Sequence, residues 1–328
     1  VTLKGVDGSV WNLNDRSSPA RLIGGLGGLH LPHVKHQWTQ TARGYGRRHN
    51  GSVTDARSFT VNIALGDPEP PFRTGPDWMT LDAQFWQALD TETLAELVVG
   101  DADPRSLFFR LDEDTGFDFP QDPALRGIAH YPILCIADNP AWTGPSSTTV
   151  YPFQPDDETN YYGGQSGFGP PFFIVEPSLF SAATAFNAGD LPTWPIWRIT
   201  GPCGAFRVGV GERVIQPPFA LQQGDVVIID TEAQTITDPQ GNDLWPLMGY
   251  APVDFAPLAS AGDVPIAIGM DSPGTGAQIA ITVTPKFRRA WGVQPYIAPP
   301  PGGGGGGGGG GSAGLGLQPL GTSPLGGA

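Results

Sequence analysis

The clearest pattern in the chain is a strict alternation over residues 57–65, where Phe59, Val61, Ile63 and Leu65 share one face. A period of two is that of a strand with one buried side. Asp67-Pro68-Glu69-Pro70-Pro71 ends it, because proline removes the N–H donors that a ladder needs. The period then changes. Leu81, Phe85 and Leu89 recur every four residues, and Trp86, Ala88 and Leu97 widen the apolar stripe. This predicts a helix over residues 81–98, with Asp77 or Thr80 as its cap and Gly100 after its end. Strands are expected at residues 105–111 and 131–137. Residues 140–172, rich in Pro, Gly, Ser, Asp and Tyr, show no period and are expected to be long surface excursions. From Phe173 the β pattern becomes dense, with apolar runs at 196–200, 206–210, 225–230 and 278–283. Short strands at this spacing, separated by Gly, Pro and Asp turns, indicate a β-sandwich.

Composition agrees with a mainly β chain. Gly (47) and Pro (35) are abundant and charged residues make up only 15%, which disfavours long helices. Hydrophobic residues, at 39%, suffice for sizeable cores, and 328 residues suggest about two domains. After Trp291 the pattern stops. Pro299-Pro300-Pro301 precedes ten glycines and a Gly/Leu/Pro/Ser tail, which cannot bury enough apolar surface to order itself. The two cysteines, Cys135 and Cys203, are expected to be buried thiols. The N-terminus lacks a signal-peptide stretch, and no apolar run approaches the roughly 18 residues of a membrane span. A soluble protein made in a cytoplasm is the expectation.

The net charge of −14 argues against stable nucleic-acid binding. It is also unevenly spread: residues 1–60 carry +5, residues 61–160 carry −14 and residues 161–328 carry −5. The basic excess is concentrated at Arg43, Arg47 and Arg48, in a glycine-containing segment expected to be a loop. Asp112, Glu113 and Asp114 head the densest acidic segment.

Two stretches resemble the siphophage distal tail family, especially minor tail proteins of actinobacteriophages. The first is Thr80–Leu89 with Glu96–Val99, Arg105–Leu111 and Leu134–Gly144. The second is more specific. It has an Asn187-Ala188-Gly189 turn, a Pro195-led strand ending in Thr200-Gly201, and a Leu221-Gln222-Gln223-Gly224-Asp225 strand ending in Asp230-Thr231. Gly241 leads the turn after it. The resemblance spans residues 1–295, weakly before residue 55. It implies an N-terminal β-barrel-like domain with one helix over residues 1–127, which forms a ring, commonly a hexamer. It implies a C-terminal galectin-like β-sandwich over residues 128–298, leaving 299–328 as a Pro/Gly-rich tail. Such a ring, assembled in the host cytoplasm, sits at the virion tail tip. Its partners are the tail tube, tape measure and hub proteins, together with receptor-binding proteins. The family offers no catalytic residues and no cofactor. In a head-to-tail ring the Arg43–Arg48 segment of one copy can face Asp112, Glu113 and Asp114 of the next.

Other chemistries fit the sequence poorly. His30, His33 and His36 are three apart, and Pro32 opposes the helix that would align them as metal ligands; a surface or interface role is expected. Gly24–Gly28 lacks the Gly-Lys-Ser/Thr ending of a phosphate loop. The chain carries no Gly-x-Ser-x-Gly elbow and no His-Glu-x-x-His pair, so it reads as no enzyme. A carbohydrate-binding module is the alternative reading, with Trp194, Trp197, Trp245 and Tyr250 as candidate stacking residues. Trp194 and Trp197 lie three apart in strand-like sequence and so face opposite sides, which puts at least one of them in a core.

Truncation after Ala298 should leave the melting temperature nearly unchanged, as scanning calorimetry would show; a large drop would mean that the tail packs on the body.

Overall fold

A computed structural model of the chain describes residues 1–24, 27–40, 44–112, 119–153, 178–179 and 183–292. The first part of the chain forms β1 (Thr2–Lys4), β2 (Val10–Asn12), β3 (Ala20–Leu22), β4 (Val34–Thr39), β5 (Arg48–Thr54) and β6 (Arg57–Gly66). Helix α1 (Pro76–Gln87), β7 (Ala95–Val99), β8 (Arg105–Leu111), the single turn α2 (Pro123–Arg126), β9 (Ile128–Ala137) and β10 (Trp142–Thr143) follow. The remainder contributes β11 (Ser147–Pro152), β12 (Ser178–Leu179), β13 (Thr184–Asn187), β14 (Ile196–Thr200), β15 (Phe206–Val210) and β16 (Arg213–Ile215). Last come β17 (Val226–Asp230), β18 (Thr235–Thr237), α3 (Trp245–Met248), β19 (Gly262–Met270), β20 (Gln278–Val283) and β21 (Lys286–Phe287).

The alternating segment is the spine of the first sheet. β6 pairs antiparallel with β9 along its whole length, from Arg57 opposite Ala137 to Gly66 opposite Ile128. The strand order is β2-β1-β7-β8-β9-β6-β3, with β10 beside β8 and β21 on β10. The two ends of this path meet, since Leu22 N–H donates to the Leu13 carbonyl at 3.0 Å. The sheet is therefore a nearly closed barrel. Its interior holds Leu3, Phe59, Ile63, Leu97, Leu107 and Phe109, and α1 contributes Trp78, Leu81 and Phe85 to the same core.

The helix differs from expectation at both ends. It starts at Pro76, after Gly75 at φ 59°, with no side-chain cap, and it stops at Gln87. Asp90 then accepts from the N–H groups of Thr91 (2.8 Å) and Thr93 (3.0 Å), which turns the chain. These bonds hold the Asp90 carboxyl below its usual pKa, the Thr93 backbone bond first among them. Residues 95–99 are a strand with Ala95, Leu97 and Val99 buried. Leu97 lies eight residues after Leu89, a spacing that satisfies both periods, so it extended the helical pattern into a strand.

Residue 128, the expected start of the second domain, is the first residue of β9, all of whose strand partners are in the barrel sheet. The chain leaves that sheet after β10 and returns to it at β21, where Trp142 pairs with Phe287. Both rings lie in the barrel core. The intervening sandwich has one sheet ordered β11-β20-β14-β17-β18 and another ordered β12-β19-β15-β16, with β13 on β19. The expected strands at 196–200, 206–210 and 278–283 appear at those positions. Trp197, Ile199, Ile229 and Ile281 from the first sheet meet Phe206, Val208 and Ile268 from the second in one core. Part of the expected excursion at 140–172 is strand: β10 and β11 lie within it, and residues 154–172 are outside the described residues.

Two arginines hold the returning chain. Arg57, only 1% exposed, donates to the carbonyls of Pro140 (2.8 Å), Gly28 (3.0 Å) and Arg288 (2.7 Å). Burial lowers its pKa to about 10, so it stays charged at neutral pH. Arg105 donates to the Arg289 carbonyl at 3.0 Å and lies over the Phe287 ring at 3.7 Å.

Arg57→Met should remove every donor to three carbonyls at once. Each buried unpaired polar group costs about 1–3 kcal/mol, so a loss of at least ~3 kcal/mol is expected in urea unfolding. A loss below ~1 kcal/mol would mean that water replaces the guanidinium.

Candidate subunit interface

After β3 the chain passes a glycine-rich segment and leaves the barrel. Gly28, at φ 82°, lies so close to β6 that a Cβ would meet the Ser58 carbonyl at 2.5 Å. This backbone approach, rather than phosphate binding, is what glycine permits here. Leu29 is buried behind it, and Asp55 N–H closes the root on the His33 carbonyl at 3.1 Å. Beyond the root, β4 and β5 form a hairpin of their own, paired from Val34 opposite Thr54 to Thr39 opposite Arg48. Among the described residues this arm pairs with no other sheet.

Every residue of β4 and β5 is exposed except the half-buried Gly51. Trp38 and Val53 are each 50% exposed and Tyr45 is fully exposed. A two-stranded hairpin is marginally stable in water on its own. The arm is held by short polar and ring contacts instead. His36 Nδ1 and His49 Nε2 are 3.2 Å apart, and the Trp38 ring stands edge-on to His49 at 5.1 Å. Asn50 donates to the Thr39 hydroxyl. At the root, Lys35 and His33 both reach Asp55, at 2.8 and 3.4 Å, and the Lys35 bond foremost holds that carboxyl below its usual pKa. A groove of about 720 Å³ runs between Leu31–Val34 and Asp55–Ser58.

The arm differs in charge from the body. Residues 33–54 carry Lys35, Arg43, Arg47 and Arg48 and no carboxylate, whereas the whole chain carries −14. Arg47 and Arg48 are exposed, and Arg48 is the first residue of β5 rather than part of a loop. Arg43 lies outside the described residues. Asp112 is half-buried, its N–H donating to the Leu134 carbonyl at 3.1 Å; Glu113 and Asp114 lie outside the described residues. Among the described residues no ion pair joins Arg47 or Arg48 to Asp112.

The three histidines of the sequence pattern do not converge. His33 turns to Asp55, His36 pairs across the hairpin with His49, and His30 lies 6.4 Å from the exposed Trp291 ring. The bulge between Gln37 and Trp38 shifts the register that creates the His36–His49 pair, and no one-strand pattern reveals it. The four candidate sugar-stacking residues differ in exposure. Trp197 is core, 1% exposed, and closed to any ligand. Trp194 is half-buried. Trp245 is partly exposed, its Nε1 donating to the Gln234 carbonyl at 3.3 Å, and Tyr250 is fully exposed.

The fold, a nearly closed barrel with an outlying hairpin and an interrupting two-sheet sandwich, is similar to that of a phage hub protein. The structure superposes on the crystal structure of Dit from phage SPP1, described as a paradigm of the hub adsorption apparatus in phages infecting Gram-positive bacteria. The superposition covers 87% of this chain and 98% of that chain, with a TM-score of 0.57 at 13% sequence identity. At that identity the likeness is one of fold. The phage p2 baseplate in its activated conformation with Ca or Sr aligns at TM-scores of 0.45 and 0.46, each at 11% identity over 86% of this chain and 96% of that chain. No protein-family model matches the sequence. No curated protein matches it.

Both cysteines are buried and free, and burial pushes both thiols above their usual pKa. The native protein should therefore resist a colourimetric thiol reagent and release two equivalents on unfolding in guanidinium; fast labelling before unfolding would contradict the burial.

Proposed function

We propose that this chain is a non-enzymatic structural subunit of a phage tail tip that assembles with copies of itself into a closed ring, a hexamer. The observation that carries the reading is the arm: a basic, almost entirely exposed hairpin on an acidic body, marginal alone and suited to lie on a neighbouring copy. The fold shared with a phage hub protein supports it. The ring connects the tail tube to the hub and the receptor-binding machinery, with the tape measure protein as a further neighbour. It is assembled in the host cytoplasm and ends at the virion tail tip. Arg43, Arg47 and Arg48 supply the positive side of the subunit contact. Acidic groups of the next copy, with Asp112, Glu113 and Asp114 among the candidates, supply the negative side. Apolar contact area contributes most of the affinity, and the charges fix orientation and speed encounter.

Carbohydrate binding by the sandwich is a second reading. It now rests on Trp245 and Tyr250, which with the 55%-exposed Leu247 form an exposed apolar group around α3.

Light scattering on a size-exclusion column and negative-stain images of the purified chain should give a ring with a central hole. Monomers at high concentration would overturn the reading. Single exposed ion pairs are worth about 0–1 kcal/mol, so one charge change should do little. The triple variant Arg43→Glu, Arg47→Glu, Arg48→Glu should lose rings at low and moderate salt while its monomer keeps its melting temperature.

A further inference from the structure

The body carries a surface that matches the arm. Most outward faces of surface helices are charged or strongly polar. Beyond Asp77 in its first turn, the exposed residues of α1 are Met79, Thr80, Ala83, Gln84 and Gln87, none of them charged. Met79 is 57% exposed. At the start of α1 this face runs into two more exposed apolar side chains, Phe72 (50%) and Leu125 (78%). They are gathered there by specific contacts. Gly75 N–H donates to the Ala124 carbonyl at 2.8 Å, and a Cβ on Gly127 would sit 3.3 Å from that of Phe72. A contiguous apolar group of this kind on a surface marks a contact with another macromolecule.

Charge names the occupant. Asp67, Glu69, Asp77 and Asp122 flank the apolar group, against Arg73, which pairs with Asp67, and Arg126, so its surroundings carry a net negative charge. The arm has four cations, no carboxylate, and exposed Trp38, Tyr45 and Val53. Position agrees. The arm leaves the barrel at the Arg57 end of β6, whereas Gly127 and the start of α1 adjoin Gly66 at the other end of that strand. Ten strand residues separate the two ends by about 30 Å. Two complementary surfaces at opposite ends of one subunit make a head-to-tail contact, which closes into a ring when the rotation per subunit allows it.

We propose that the seat of the arm is the α1–α2 surface of the next copy, centred on Phe72, Met79 and Leu125. The proposal rests on the ring reading and adds to it which surface receives the arm. Trp38 and its neighbours cover the apolar group, and Arg47 and Arg48 face the carboxylates around it.

The test uses the full chain with a benzoylphenylalanine photocrosslinker in place of Trp38. Irradiated rings should give inter-copy adducts that mass spectrometry maps to residues 72–87 or 121–127. Rings whose adducts map elsewhere, the Asp112 region included, would overturn the seat and leave the ring reading standing. Absence of both rings and inter-copy adducts would overturn the two together. The pair Met79→Lys, Ala83→Lys provides a second readout at exposed positions that folding does not need. It sets like charge against the arm and should raise the midpoint concentration for ring assembly at least about tenfold with an unchanged melting curve. An unchanged midpoint would overturn the seat.

Discussion

The Arg57 guanidinium is the point on which the architecture converges. It sits at the first residue of β6 and is held without a carboxylate, by three backbone carbonyls. Those carbonyls belong to the root of the arm, to the exit toward the sandwich and to the segment that returns from it. A charge taken out of water is tolerated only when its donors are matched, and three peptide dipoles at 2.7–3.0 Å provide that match. Carbonyl acceptors also make the site specific in a way a single carboxylate would not. All three segments must arrive in place before the guanidinium is satisfied, so barrel, arm root and inserted sandwich are fixed by one side chain. Arg105 adds a second hold on the returning chain, on the Arg289 and Gly292 carbonyls, with Asp103 as its ion-pair partner.

How much of this was legible in the sequence depended on whether an element buries one face. β6 showed plainly because Phe59, Val61, Ile63 and Leu65 all turn inward. β14, β15 and β20 stood out for the same reason, each with an apolar face in the sandwich core. The arm strands were invisible. Val34–Thr39 and Arg48–Thr54 bury neither face, so no period separates strand from loop there. The candidate site was therefore half legible: its charge could be read from Arg47 and Arg48, its shape could not. The α1–α2 surface was hidden differently. Met79 and Leu125 read as ordinary apolar residues until the fold turned them outward.

The sandwich and the barrel are secured by different means. The sandwich core is a conventional meeting of two alternating faces, and its buried Asn187 and Thr231 are bonded within it. Asn187 donates to the Leu191 and Ala259 carbonyls and accepts from Gly189 N–H, and Thr231 donates to Pro195. The barrel core, by contrast, borrows Phe287 and Ala290 from beyond the sandwich. The sandwich contains everything its own core needs, while the barrel does not.

That asymmetry has a consequence at the ribosome. The barrel's last strand and the Arg288 carbonyl emerge well over a hundred residues after β10. At about 5–20 residues per second, the N-terminal half waits roughly 7–30 s for the pieces that complete it. The inserted unit, though made later, has its core strands complete before β21 is made, and the host domain closes around its exit and return only after that. Through that interval the edge of β10 that β21 later pairs with stands open, the kind of unpaired edge that templates pairing with another chain.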